Sequence, residues 1–102
     1  MPALHPLLIP LEGFKLCATL DAFAATQGEI NREMKSTELA KHAELTQQEF
    51  GRHLAALEEA GFISSFREYG SKQDTVWLSL TAAGQRALAA HVAALEQIAA
   101  GA

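Results

Sequence analysis

Proline is confined to positions 2, 6 and 10, and cysteine occurs once, at position 17. From Leu11 onward no proline interrupts a helix, and one thiol makes neither an intrachain disulfide nor a multi-thiolate metal site. Long apolar runs and a charged-then-apolar leader are also missing, so no membrane association is expected and the cytoplasm is the expected location. The histidines His5, His42, His53 and His91 are spread along the chain, too dispersed to suggest a metal centre. No nucleophile, base and orienter fall together and there is no glycine-rich phosphate loop, so neither catalysis nor a cofactor is expected. Basic residues are in deficit, eight against twelve acidic, for a net charge of −4. A nucleic-acid partner therefore has to be argued from local charge, because the usual basic footprint is lacking. The length of 102 residues suits one domain with one modest core and leaves no room for a separate sensor domain.

The most informative stretch is 37–61, TELAKHAELTQQEFGRHLAALEEAG. Thr46 and Glu49 form a T-x-x-E capping box, which starts a helix at Gln47, and Gly61 stops it. Phe50, Leu54 and Leu57 recur at i, i+4, i+7 on one face, while Gln47, Gln48, Gly51, Arg52 and Ala55 share the other. Glutamine and arginine can make bidentate contacts to adenine and guanine edges in the major groove. Ser36 or Thr37 can cap a preceding helix through about Ala43, with Leu39, Ala40 and Leu45 inward. Two short helices joined by a tight turn make a helix-turn-helix over about 37–60.

Around that centre, MPALHPLLIP reads as an apolar arm able to lie on another surface, often across a dimer. A first helix follows from Leu11, with Leu16, Leu20 and Phe23 beside Cys17 and Ala24, ending at Thr26, Gln27 and Gly28. Residues 29–36 read as a polar connection. After Gly61, the apolar Phe62, Ile63 and Phe66, the polar loop Tyr69 to Asp74 and the alternating TVWLSL predict a hairpin over about 62–80, a wing carrying Arg67 and Lys72. Thr81 caps a last helix, about 81–99, whose Leu88, Val92, Leu95 and Ala99 follow 4, 3, 4 spacing, with Ile98 beside them. Such a stripe calls for a partner, and the expected one is a second copy of the chain, held through Leu88, Val92, Leu95 and Ile98. The fold expected is mainly α with a small β-hairpin, an α+β winged helix-turn-helix with N- and C-terminal dimerisation elements.

FGRHLAALEEAGFI at 50–63 and LSLTAAGQRAL at 78–88, at this spacing, resemble the small winged-helix transcriptional regulators related to the MarR and ArsR groups. The resemblance runs over roughly residues 5–98. It implies a homodimeric regulator bound to double-stranded DNA, with helix 47–60 in the major groove, wing 67–74 on the flanking backbone or minor groove, and an inverted-repeat operator. The residues expected at the DNA are Lys41, Gln47, Gln48, Gly51, Arg52, Arg67 and Lys72. Lys35 joins them as a cation on the same side.

Other roles are open for several of these residues. Arg52 could simply be solvated beside Glu49 or Glu59, and Gln47 and Gln48 could be ordinary helix-start residues. Gly51 costs a helix about 1 kcal/mol relative to Ala, which points to close approach either of DNA or of a neighbouring helix. Lys72 and Arg67 suit phosphate contacts. His53, on the partly inward side of its helix, should be buried and hydrogen-bonded. Two alternatives stand beside the DNA-binding reading: a winged helix turned to protein binding, which an acidic surface would suit, and a redox or small-molecule sensor with DNA output. The redox case rests on Cys17, whose apolar neighbours should raise its pKa and leave it inert. No residue set encodes an effector.

Overall fold

A computed structural model describes residues 3–101. Four helices, α1 (Leu11–Ala22), α2 (Ser36–Ala43), α3 (Gln47–Glu59) and α4 (Ala82–Gly101), combine with β1 (Met34–Lys35), β2 (Ile63–Glu68) and β3 (Thr75–Leu80). The sheet is antiparallel in the order β1-β3-β2. This is the expected α+β plan with one strand more than the hairpin: Met34 and Lys35, read above as connection, pair with Leu78 and Trp77.

One core holds it together. Leu16, Cys17 and Leu20 of α1, Leu39 of α2, Leu57 of α3 and Leu78 and Leu80 of β3 are all buried, with Phe50 and Leu54 packed at the edge. Leu39 is therefore inward as expected, while Ala40 and Leu45 are only partly covered. In the hairpin Ile63 faces Leu80 and Ser65 faces Leu78 on the core side, while Phe66 faces Trp77 on the other. Ser79 is nevertheless buried, because the Gln27 side chain reaches over and donates to its hydroxyl at 3.2 Å.

Helix ends explain where expectation and structure part. α3 ends as read: Gly61, at φ 80°, donates to Glu58 O and Phe62 N donates to Leu57 O, the paired bonds of a Schellman stop. The same pair closes α1 earlier than expected, from Ala24 N to Asp21 O and from Ala25 N to Leu20 O, with Ala24 rather than a glycine in the left-handed region at φ 56°. The helix therefore ends at Ala22, Phe23 is exposed, and Thr26, assigned to the stop, instead forms a parallel bridge with Leu80. α2 begins at Ser36 with Lys35 in the cap position, so neither Ser36 nor Thr37 caps it through a side chain. Its turn into α3 is made by Glu44, also left-handed at φ 56°.

The two segments that carry the family resemblance meet in space. Thr81 accepts from Gly84 N at 3.0 Å as the cap of α4, and its hydroxyl donates to Gly61 O at 2.6 Å. Gly84 lies so close to the Phe62 carbonyl that a Cβ there would collide with it. The end of α3 is thereby fixed to the start of α4 across the base of the wing.

The arm folds back on its own chain. Leu8 is buried in the core, and the arm crosses α1 where Gly13 leaves room for the Leu7 carbonyl. Pro2, the first of the arm's three prolines, lies outside the described residues.

Candidate nucleic-acid interface

α3 is held at its start by the full capping box. Glu49 N donates to Thr46 Oγ1 at 3.1 Å, and Thr46 N donates to Glu49 Oε1 at 3.2 Å. Donation to Glu49 Oε1 from the Thr46 backbone N–H and, at 3.0 Å, from the Thr46 hydroxyl, helped by the charges of Arg52 and His53, holds the Glu49 carboxyl below its ordinary range. An ionised Glu49 occupied in this way forms no ion pair with Arg52, one turn on. The guanidinium of Arg52 instead lies 3.4 Å from His53 Nε2. His53 is only half-buried, less covered than expected, with Glu12 of α1 at 4.0 Å.

Gln47, Gln48, Gly51, Arg52 and Ala55 are all exposed on one face of α3. The space above Gly51 is open, with nothing within 4 Å of where a Cβ would stand. That decides one of the two readings of this glycine: no neighbouring helix approaches it.

The first turn of α2 links this face to the wing. Ser36, Thr37 and Ala40 share a shallow hollow of about 340 Å³ with Leu45, Gln47 and Phe50 on the α3 side. Lys35, Ser36 and Thr37 also line a smaller, polar hollow of about 160 Å³ with Gln73, Asp74 and Thr75 of the wing. One continuous surface therefore runs from the start of α3, over the start of α2, to the loop of the hairpin. Sequence reasoning read Ser36 and Thr37 only as caps. The missed signal is that a helix start without a side-chain cap leaves its first amides and hydroxyls available to an anion.

The remaining cations are placed unevenly. Lys41 is exposed in the last turn of α2, and Lys72 is exposed at the tip of the wing. Arg67 is not a free cation: its Nη1 lies 3.5 Å from Asp74 Oδ2, and the same carboxylate accepts from Gly70 N, which orders the loop. An exposed pair of this kind contributes little and can exchange partners. Lys35 Nζ sits 5.6 Å from the centre of the Trp77 ring, whose N–H donates to Glu68.

Away from this surface, α4 divides its apolar stripe. Leu88 is buried in the chain's own core, while Val92 packs against that core and is only partly covered. Leu95 and Ile98 are exposed, and no residue from 95 to 100 is covered. Together with the arm's Leu4 and Ile9 and with Leu11 and Phe14 of α1, Leu95 rims an apolar hollow of about 250 Å³. His91, buried at its floor, was not picked out from the sequence. Cys17 is buried, and desolvation pushes its pKa up to about 12. Among the described residues no cluster of three potential metal ligands occurs, and no helix is long and apolar enough to cross a membrane.

Comparison with known proteins agrees with this geometry. The chain is similar to the putative transcriptional regulator TA0346 from Thermoplasma acidophilum, at 24% identity over 87% of this chain and 85% of that one, with a TM-score of 0.66. It is also similar to the transcriptional regulator PA4135, at 24% identity over 94% of this chain and 71% of that one, with a TM-score of 0.63. At that identity the likeness is one of fold. Among curated proteins no sequence match is found. Residues 20–99, which include the helix-turn-helix, the wing and most of α4, match the winged helix DNA-binding domain family, and the chain belongs to that family.

Proposed function

We propose that the protein is a dimeric, sequence-specific transcriptional regulator that reads double-stranded DNA with α3 in the major groove and the wing on the flanking backbone or minor groove. The observation that carries this reading is the open face of α3. Two glutamines and an arginine with no carboxylate partner among the described residues stand there around a glycine with nothing above it, on a helix whose start is fixed by a capping box. Base edges are the surface that such side chains match, and the uncapped start of α2 beside them suits a phosphate. Lys72 and Lys41 add contact charge, and Arg67 joins them once a phosphate displaces Asp74. The net charge of −4 opposes this weakly, since charges beyond about 8 Å are screened at physiological salt.

Dimerisation is assigned to the exposed end of α4, Leu95 and Ile98, and to the apolar rim supplied by the arm and α1. Exposed apolar groups in this density suit a second copy of the same surface. Two-fold symmetry then places the α3 helices about 34 Å apart, and the operator is an inverted repeat. Selection from a random DNA pool at low salt tests the reading directly. The expected product is an inverted repeat bound with a log–log salt slope near −5, from about three phosphates per subunit. If no sequence is enriched and low-salt retardation fails with random and genomic fragments alike, the surface serves a protein partner instead.

A further inference from the structure

The arm and α4 are joined by a contact that needs a neutral histidine. The backbone N–H of His5 donates to His91 Nδ1 at 3.0 Å, and that of Leu7 donates to His5 Nδ1 at 3.1 Å. An imidazole that accepts at Nδ1 carries its single proton on Nε2. His91 is 2% exposed, beneath the arm, and its ring lies 5.6 Å from that of Phe14 on α1. The His5 ring, in turn, meets the edge of Phe62 at 4.9 Å, beside the junction of α3 with the sheet. The arm thus touches both the apolar end of the molecule and the end of α3.

We propose that His91 is a proton-operated latch for the amino-terminal arm: as a neutral acceptor it holds the arm across α1 and α4, and on taking a proton at Nδ1 it lets the arm go. Protonation turns the acceptor into a donor that faces the His5 N–H, so one hydrogen bond is lost and two N–H groups are opposed. It also places a charge in a site whose walls are apolar. From the arm these are Leu4, Leu8 and Ile9; from α1, Leu11 and Phe14. On α4 itself the residues a turn away are Ala87, Leu88, Ala94 and Leu95. His5 is the one ionisable group that faces His91 in this set, and no carboxylate among them compensates a cation. Desolvation, and next the charge of His5, accordingly lower the His91 pKa.

Docked, His91 resists the proton; released, it takes one near the ordinary value of about 6.5. The latch is therefore fully closed above that value and weakens as pH falls through the lowered pKa of the docked state. The arm also supplies Leu4 and Ile9 to the apolar rim, so acid should weaken self-association as well. That second consequence rests on the proposed dimer; the latch does not.

The test follows the His5 amide and the His91 ring in the intact chain by NMR. Between pH 7.5 and 5, the hydrogen-exchange protection of the His5 amide, corrected for the intrinsic rate, should fall tenfold or more along the His91 titration. In His91→Asn, Oδ1 stands where Nδ1 stood and cannot titrate, so protection at pH 7.5 should persist and lose its pH dependence. The proposal is overturned if the His5 amide stays protected while His91 titrates, if His91 titrates at or above the ordinary value, or if His91→Asn keeps the wild-type pH profile. Should the variant not fold, the wild-type titration decides alone. Sedimentation at both pH values separates the two readings: a chain that is monomeric throughout removes the dimer, and the amide still decides the latch.

Discussion

Gly51→Ala separates the stability of α3 from its use. Residue 51 lies beyond the capping box, in the helix interior, where glycine costs about 0.8–1.0 kcal/mol relative to alanine. The added Cβ meets nothing within 4 Å, so no packing loss offsets that gain. For a domain of this size 1 kcal/mol moves the melting temperature by about 4–8 °C, and a rise of roughly 3–8 °C is expected. Gly84→Ala is the control. It is also helical, yet its Cβ runs into the Phe62 carbonyl and the Leu80 side chain, so a loss of about 1–3 kcal/mol is expected there. If α3 lies in the major groove with its backbone against DNA at residue 51, the same methyl that stabilises the free protein should weaken binding tenfold or more, which is about 1.4 kcal/mol. Thermal unfolding by circular dichroism and titration of the selected operator give the two numbers. A higher melting temperature with unchanged affinity would refute the placement of this face against DNA. A lower melting temperature would refute the open helical geometry itself.

Four further outcomes follow from other parts of the fold. Ala24→Gly relieves a left-handed alanine that closes α1, and should raise stability by about 1 kcal/mol in a urea titration; no change would mean that the stop is not strained. Cys17 should resist iodoacetamide at pH 8 in the native state and react promptly in denaturant, as read by mass spectrometry, because its thiol pKa stands at about 12; prompt native labelling would revive the redox reading. The same shift makes folding weaken as pH climbs from 9.0 towards 12, since only the unfolded chain gives up the proton there. Leu95→Glu with Ile98→Glu should yield folded monomers by sedimentation, both side chains being exposed, and a persistent dimer would move the interface elsewhere.

The readable parts of this fold are those whose determinants sit within a few residues of one another. Thr46 and Glu49 are three apart and announce α3; Gly61 ends it by a bond pattern that spans six residues. Thr81 announces α4 in the same way. The misread parts depend on partners far along the chain. Met34 becomes a strand only because Leu78 lies opposite it, and two residues carry too little pattern to show that alone. α1 stops at Ala22 rather than near Gly28 because Ala25 O accepts from Leu80 N and Gln27 N donates to Leu80 O, which draws the chain away from the helix axis. No glycine is placed where the left-handed residue falls, so the usual punctuation is absent from the sequence.

The apolar stripe of α4 shows the same limit at the level of function. Its spacing is legible, yet periodicity does not say which apolar residues the chain's own core will take up. Leu88 is claimed by the core, Val92 is partly covered against it, Leu95 and Ile98 are left over, and the division falls where the arm crosses. That crossing is set by Gly13, which admits the Leu7 carbonyl, and by His91, which accepts from His5. His91 enters the sequence reading only as one of four scattered histidines, although at i+3 from Leu88 and i−4 from Leu95 it falls on the same side as the stripe. Folded, it is buried and hydrogen-bonded, because the arm brings its own N–H to the ring. The rim of the apolar hollow is therefore shaped by His5 and His91, two residues that lie 86 positions apart in the chain, and substitution of either should change that rim.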